Sequence, residues 1–136
     1  MFELVYFSSA NPDLTSTGIA NILNTARNFN SENNISGCLI YSNNEFLQIL
    51  EGDKEIVQDL FTRIKKDKRH RNVILLTENS KEERMFPKWD MAFHDFNSDK
   101  ESKNNFGNKL VVFSDIAKKP THAIDLFWTM AKYIVK

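Results

Sequence analysis

The chain has 136 residues, and its 18 basic and 18 acidic side chains give a formal net charge of zero. This length predicts one domain, because two separate cores would each be near the size at which burial barely stabilises a fold. The balanced charge argues against direct binding of nucleic acid or of an anionic membrane, since both need clustered Lys and Arg. Four glycines at wide spacing exclude a glycine-rich phosphate cradle.

The cysteine content and the N-terminus bear on the cellular compartment. Cys38 is the single cysteine, so it forms no internal disulfide, and no CxxC or paired-histidine spacing accompanies it. Residues 1–6 lack the basic start of a signal peptide, and no run approaches the roughly 18 apolar residues that span a bilayer. We therefore expect a cytoplasmic protein with no structural metal and no membrane partner.

The first part of the chain predicts a strand, a helix and a strand pair. Residues 2–9 are apolar and stop at a turn signal, which predicts the first strand. Apolar residues recur at helical spacing through 15–29 and predict an amphipathic helix. Residues 35–42 and 45–51 are typical of two strands, and the two asparagines between them favour a hairpin.

The next segments predict a second helix and two further strands. Asp53 is a suitable N-cap for a helix whose apolar stripe runs from Ile56 to Ile64. Residues 73–77 form a nearly continuous apolar run that predicts a buried strand, and residues 89–93 predict an edge strand. The order βαββαβ with a short fifth strand predicts an α+β, ferredoxin-like sandwich with both helices on one face of the sheet.

A polar stretch at 97–105 divides the chain. We assign residues 1–96 to the sandwich domain and residues 97–136 to a linker with a two-helix C-terminal extension. Helical stripes run over 106–117 and, after a Pro-Thr start signal, over 124–134. Because so short a segment cannot form a core of its own, we expect it to pack on the free face of the sheet or on another subunit.

Three uncharged polar side chains fall on apolar faces. Tyr6 lies on the first strand, Gln48 lies between two large apolar neighbours on the third, and Asn30 continues the stripe of the first helix. Tyr6 or Asn30 alone is more simply a core tyrosine or a helix cap. A buried amide without partners costs about 1–3 kcal/mol. A ligand edge of alternating donors and acceptors would therefore explain Gln48 and Asn30 together.

A charged corner follows the second helix. Asp67, Arg69 and His70 lie in a turn whose cations suit the C-terminus of a helix, which is a purely structural explanation for them. The functional interpretation is that Arg69 and His70 place hydrogen-bond donors at the mouth of the cleft between the sheet and the helices. Trp89 and Met91 share one face of the predicted edge strand and are most simply core residues.

Six segments, taken in order, resemble the BLUF domain, a blue-light sensor that uses a flavin. Each segment is a weak signal alone, but six at family-like spacing form a specific one, which covers about two thirds of the chain. The segments are the first strand with Tyr6 and Ser8, the helix end 26–30, the strand 35–41, the run 46–52, the corner 67–70 and the segment 86–91.

The resemblance implies a flavin ring between the first two helices that meets the sheet edge-on. Asn30 matches the family residue that hydrogen-bonds the pyrimidine edge of the ring, and Gln48 would bridge Tyr6 and the flavin. Arg69 matches the residue at the flavin C2 carbonyl. The expected cofactor is FAD, with FMN and riboflavin as alternatives. The other ring contacts that we expect are Asp67, His70, Ile22 and Ile64.

The resemblance also implies photochemistry rather than catalysis. Light drives an electron and a proton from Tyr6 through Gln48, whose side chain then rotates or tautomerises, and the changed hydrogen bond shifts the flavin absorption to the red. An uncharged amide suits this role because it exchanges donor and acceptor ends at little steric cost. Trp89 and Met91 match fifth-strand residues that transmit the change outward.

The expected function is that of a short blue-light photoreceptor without a fused catalytic domain. Its signal would pass through the fifth strand and the C-terminal helices, in a homo-oligomer, to an unknown protein effector. One alternative is a flavin-free ferredoxin-like ligand module or small enzyme, although residues 10–13 lack the arginine loop of an acylphosphatase. A purely structural oligomerisation domain is the other, and it leaves Gln48 and Asn30 without a purpose.

Overall fold

A five-stranded sheet forms the middle layer of the protein. The structure is a computed structural model that describes residues 1–86, 92–95 and 121–134. The strands are β1 (Phe2–Ala10), β2 (Ser36–Ser42), β3 (Glu45–Gly52), β4 (His70–Ser80) and β5 (Ala92–Asp95). Their order is β4-β1-β3-β2-β5. The pairs β4–β1, β1–β3 and β3–β2 are antiparallel, and the pair β2–β5 is parallel.

Helices pack on both faces of this sheet. They are α1 (Ser16–Glu32), α2 (Lys54–Lys66) and α3 (His122–Ile134). Asp53 caps α2 by accepting hydrogen bonds from the N–H groups of Glu55 and Ile56, which confirms its predicted role. In the described part of the chain, no helix is both long and apolar enough to cross a membrane.

The alternation of side chains along β1 separates two apolar cores. Leu4 and Tyr6 pack with the residues of α1 and α2, whereas Val5 and Phe7 pack with the residues of α3. The prediction of an α+β, ferredoxin-like sandwich with two helices on one face is therefore confirmed. The other face, which the first two helices leave free, is covered by Ala123, Ile124, Phe127, Trp128 and Ala131 of α3.

The hairpin between β2 and β3 fixes the register of the central strands. Asn43 and Asn44 have φ angles of 53° and 63°, the left-handed conformation that a tight two-residue hairpin needs and that asparagine tolerates. The predicted hairpin is thus confirmed. Its register places Gln48 opposite Leu39 on β2, and the next pairing places Gln48 opposite Tyr6 on β1.

Two strand predictions need correction. Residues 73–77 are part of the longer strand β4, which is an edge strand rather than a buried one, with Ile74 and Leu75 exposed by 51% and 39%. An unbroken apolar run suits burial on both faces, but β1 is the one neighbour of β4 among the described strands. The other edge strand, β5 (Ala92–Asp95), is at the predicted edge of the sheet but continues two residues past the predicted end at residue 93. Residues 89–91 and the predicted helix over 106–117 lie outside the described residues.

Two acidic side chains are fully buried on the α3 face of the sheet. Glu3 and Glu51 are direct register partners, and Lys81 forms an ion pair with both, at 3.3 Å from the Glu3 Oε1 atom. We call these three residues the carboxylate cluster. Thr121 donates a hydrogen bond of 2.8 Å to Glu3 and accepts one from the N–H of Ile124, so the cluster also ties the start of α3 to the sheet. Further donors to the cluster are Ser36, Asn79 and the backbone N–H groups of Met85 and Phe86.

Candidate functional site

An open cavity of about 180 Å³ lies between the sheet, α1 and α2. All the side chains that the sequence predicts as ring contacts line this one cavity, although they come from five different elements and one turn. They are Tyr6, Ile22, Asn30, Gln48, Ile64, Asp67, Arg69 and His70. Trp89 and Met91, predicted to transmit a signal, lie outside the described residues.

Tyr6 and Gln48 form a buried polar pair at the floor of the cavity. The register places them side by side on β1 and β3, and the Tyr6 hydroxyl donates a hydrogen bond of 2.7 Å to Gln48 Oε1. Burial, and to a lesser extent the negative charge of Asp67, raises the pKa of Tyr6 far above its ordinary value. The phenol is therefore neutral at physiological pH, and its proton points at the amide.

Asn30 presents an unsatisfied amide to the same cavity. It lies near the end of α1, where its backbone carbonyl accepts a hydrogen bond from the N–H of Ile35 at 2.9 Å. The side chain is buried, yet neither its Oδ1 nor its Nδ2 atom has a hydrogen-bond partner among the described residues. Each such buried atom costs about 1–3 kcal/mol. An amide with both atoms orphaned at a cavity wall is complementary to a ligand edge with one donor and one acceptor.

Asp67 and Arg69 form a charged pair at one side of the cavity. The Arg69 guanidinium donates to both carboxylate oxygens of Asp67, at 2.6 to 3.0 Å, and the Arg69 backbone N–H donates to Asp67 as well. Burial opposes ionisation of Asp67, but the hydrogen bonds and charge of Arg69 outweigh it and hold the pKa of this carboxyl below its usual range. The same carboxylate raises the pKa of Arg69. The pair is therefore ionised at neutral pH and keeps Arg69 in place beside the cavity.

His70 is held at the start of β4. Its Nδ1 atom lies 2.9 Å from the Ser8 hydroxyl, and its ring packs against Phe46 with the centroids 4.7 Å apart. Burial lowers the pKa of His70, and the nearby Arg69 charge adds to this effect while Asp67 opposes it. The imidazole is therefore neutral at pH 7. Its contact with Ser8 was not foreseen from the sequence.

Other lining residues were also missed by the sequence analysis. On α2, Leu60 lies four residues before Ile64 and Arg63 lies one residue before it. On α1, Thr25 lies three residues after Ile22. These helical spacings from the predicted ring contacts are a signal that could have identified Leu60 and Thr25. The remaining lining residues are Ala26, Phe29 and Leu39.

The fold and the cavity define a ligand-binding α+β domain. A family model described as BLUF, sensors of blue-light using FAD, matches residues 1–92. The chain belongs to this family of blue-light sensors. The match covers the sheet strands β1 to β4 and both helices that enclose the cavity.

Individual relatives agree with this assignment. Photoactivated adenylate cyclase subunit beta from Euglena gracilis is 34% identical over 84 residues, which are 62% of this chain and 10% of that protein. The chain thus spans about a tenth of the length of the curated relatives it matches. The ground-state structure of BlsA is 38% identical with a TM-score of 0.66, and the match covers 78% of this chain and 72% of BlsA. Klebsiella pneumoniae BlrP1 is 24% identical with a TM-score of 0.80, over 99% of this chain and 34% of that one, and shows the fold alone.

The side chains around the cavity fit the flavin that the family uses. The orphaned Asn30 amide matches a ring edge that offers both a donor and an acceptor. Ile22 and Ile64 supply apolar contacts from the two helices, and the Asp67–Arg69 pair supplies a fixed cation at the side. A largely apolar cavity with a few convergent polar groups is the usual environment of a bound cofactor ring.

Proposed function

We propose that this chain is a blue-light photoreceptor that holds oxidised FAD in the cavity, with FMN and riboflavin as alternatives. The observation that carries this proposal is the orphaned Asn30 amide beside the Tyr6–Gln48 pair. Asn30 would bind the pyrimidine edge of the ring, and Arg69 would hold a ring carbonyl. Ile22 and Ile64 would pack on the ring faces, with Asp67 and His70 along its side.

Tyr6 and Gln48 would carry the light response. Bound flavin supplies the absorption of blue light and accepts an electron when excited. Tyr6, which lines the cavity, would donate this electron, and the loss of an electron would make its phenol proton strongly acidic. The Tyr6 hydroxyl has Gln48 Oε1 as its hydrogen-bond acceptor at 2.7 Å, so the proton leaves along that bond. Gln48 would relay this proton and rotate or tautomerise, and the electron and the proton would then return to Tyr6. The site would regain its composition, with the exchanged donor and acceptor ends of the amide changing the hydrogen bond to the ring.

The strand register supports a route for the signal. Gln48 on β3 is the partner of Leu39 on β2, and Leu39 is the partner of Phe93 on β5. Leu39 also lines the cavity. A change at Gln48 would therefore reach β5 across one intervening strand. Trp89 and Met91 precede β5 and would transmit the change to the C-terminal segment.

The output of the photoreceptor is proposed to be regulatory rather than catalytic. The chain resembles only about a tenth of a protein named as a photoactivated adenylate cyclase subunit, which supports a sensor role for the matched segment. We propose that the C-terminal extension, residues 97–136, mediates self-association and contact with a separate protein effector. The two domains of this proposal are thus the sensor, 1–96, and the extension.

The test is spectroscopic. The purified chain, supplied with FAD, should be yellow, and blue light should give a small, thermally reversible red shift of the flavin absorption. Gln48→Leu and Tyr6→Phe should each abolish this shift while still binding flavin. Tyr41→Phe is the matched control, because Tyr41 is a second buried tyrosine whose hydroxyl donates to Asn44 instead. Protein that takes up no flavin would support the flavin-free ligand module, and a normal red shift in both variants would refute the roles of Tyr6 and Gln48.

A further inference from the structure

The contact between Ser8 and His70 is a partly buried hydrogen bond that the proposed light response does not use. Ser8 is fully buried on β1, two residues after Tyr6 and on the same face of the sheet. Its hydroxyl lies 2.9 Å from His70 Nδ1. Among the described residues, no other side chain forms a hydrogen bond with this hydroxyl. His70 in turn lines the cavity.

The direction of this hydrogen bond follows from the chemistry of the two groups. A hydroxyl can donate or accept, and the two neutral forms of imidazole can do either at Nδ1. If Nδ1 donated, the Ser8 hydroxyl proton would be buried without an acceptor among the described residues. A buried donor without an acceptor is costly, whereas an unused oxygen lone pair is tolerated more easily. The favourable arrangement has Ser8 donating to an unprotonated Nδ1.

We propose that Ser8 is a positioning residue that holds His70 in the neutral form with its proton on Nε2, so that this N–H is offered to an acceptor oxygen of the cavity ligand. The Phe46 ring, 4.7 Å from the imidazole, restrains the ring plane. No group in the described ranges accepts a hydrogen bond from His70 Nε2. The nearby Asp67 carboxylate accepts its hydrogen bonds from the Arg69 guanidinium instead. The last step, contact with a carbonyl or hydroxyl oxygen of a flavin, rests on the proposed function.

The tautomer can be tested without any ligand. Nitrogen-15 NMR of the histidine side chains should show the wild-type His70 ring protonated at Nε2 and unprotonated at Nδ1 at pH 7, with His70→Gln identifying its signals. In Ser8→Ala the ring should become a mixture of both neutral forms, and Ser8→Thr, which keeps the hydroxyl, should restore the single form. Ser42→Ala is the matched control, since Ser42 is an equally buried strand serine whose hydroxyl has no partner within residues 1–86, 92–95 and 121–134.

A second measurement tests the offered N–H. In titrations of the flavin-free chain with FAD, Ser8→Ala should bind about twofold more weakly, because only about half of its His70 rings then carry the proton on Nε2, and Ser42→Ala should bind like the wild type. A wild-type ring protonated at Nδ1, or a Ser8→Ala ring that keeps the Nε2 form, would overturn the proposal. Unchanged FAD affinity with a changed tautomer would overturn the contact to the ligand. If no variant and no wild type binds FAD, the proposed function fails, while the NMR result still decides the role of Ser8.

Discussion

The two faces of the sheet bury polar groups in opposite ways. On the α3 face, the carboxylate cluster places Glu3, Lys81 and Glu51 out of solvent and satisfies them with each other and with neighbouring donors. On the α1 and α2 face, Asn30 is equally buried, but neither its Oδ1 nor its Nδ2 atom finds a partner in the part of the chain that the structure describes. The carboxylate cluster needs no ligand to satisfy its charges, whereas the unsatisfied Asn30 amide lies at the wall of a cavity and is complementary to a ligand there.

This contrast arises within single strands. Residues three apart in a strand face opposite sides, so Glu3 and Tyr6 of β1 belong to different faces, as do Gln48 and Glu51 of β3. The same two strands therefore provide the anchor of the C-terminal helix on one side and the floor of the cavity on the other. A backbone shift of β1 or β3 caused on one face therefore also moves the side chains on the other face.

The largest expected effect on stability is on the α3 face, in the carboxylate cluster. Lys81→Met leaves the two buried carboxylates of Glu3 and Glu51 opposite each other without a cation, and should lower the free energy of unfolding by about 3–5 kcal/mol. Urea denaturation measures this change. Lys66→Met, at an exposed position of α2, is the matched control and should change stability by less than about 0.5 kcal/mol. A loss in Lys81→Met as small as that of the control would show that the cluster is not a buried charge network.

A stability change of opposite sign is expected on the α1 and α2 face, at Asn30. Asn30→Leu removes two orphaned polar atoms, so the flavin-free chain should be equally stable or more stable by about 1–3 kcal/mol, while its affinity for FAD should fall. Urea denaturation and a fluorescence titration with FAD measure the two effects. Asn28→Leu, at an exposed position of the same helix, should change neither. A large loss of stability in flavin-free Asn30→Leu would contradict the distinction between the two faces.

The smallest expected effect is a pH dependence of the cavity face. Burial lowers the pKa of His70 below the ordinary value of about 6.5, so on acidification the unfolded chain takes up this proton before the folded one does. The contribution of His70 to stability is therefore present above pH 6.5 and lost as the pH falls below it. Denaturation of the flavin-free wild type between pH 7 and 5 should show this loss.

A matched comparison isolates the histidine. His70→Gln cannot titrate in this range, so its stability should fall less steeply below pH 6.5 than that of the wild type. Both proteins keep the Asp67–Arg69 pair, whose carboxyl has a pKa below its usual range and loses its stabilising charge only in more acidic solution. Parallel curves for the two proteins would mean that His70 is as free to accept a proton in the folded chain as in the unfolded one.

The sequence predicted the cavity face better than the α3 face for physical reasons. Tyr6, Gln48 and Asn30 are polar residues within apolar periodic patterns, and a pattern of that kind is visible within one element. Glu3 and Lys81 are far apart in the chain and lie in segments where charged residues are normally exposed, so their burial depends on strand pairing that composition does not reveal. The contact of Ser8 with His70 is missed for the same reason, since 62 residues separate the two.

The strand β4 illustrates a different limit. Its apolar run at 73–77 has the composition of a central strand, and the sequence contains no local signal that β4 pairs on one side only. Edge position is decided by the order in which strands meet in space. The resemblance to a family identified the fold correctly because it depends on six segments together, whereas the periodicity of a single segment could not place it in the sheet.

The sparse burial of α1 has a further consequence for how the protein is assembled. Of its 17 residues only Ile22 and Asn30 are fully buried, and both face the cavity. A helix with so little contact to the rest of the chain takes much of its packing from whatever fills that cavity. A bound ring would then complete the hydrophobic core, and folding stability would rise with the logarithm of the free flavin concentration once this exceeds the Kd. The amount of intact protein in a cell would follow its flavin supply even in darkness.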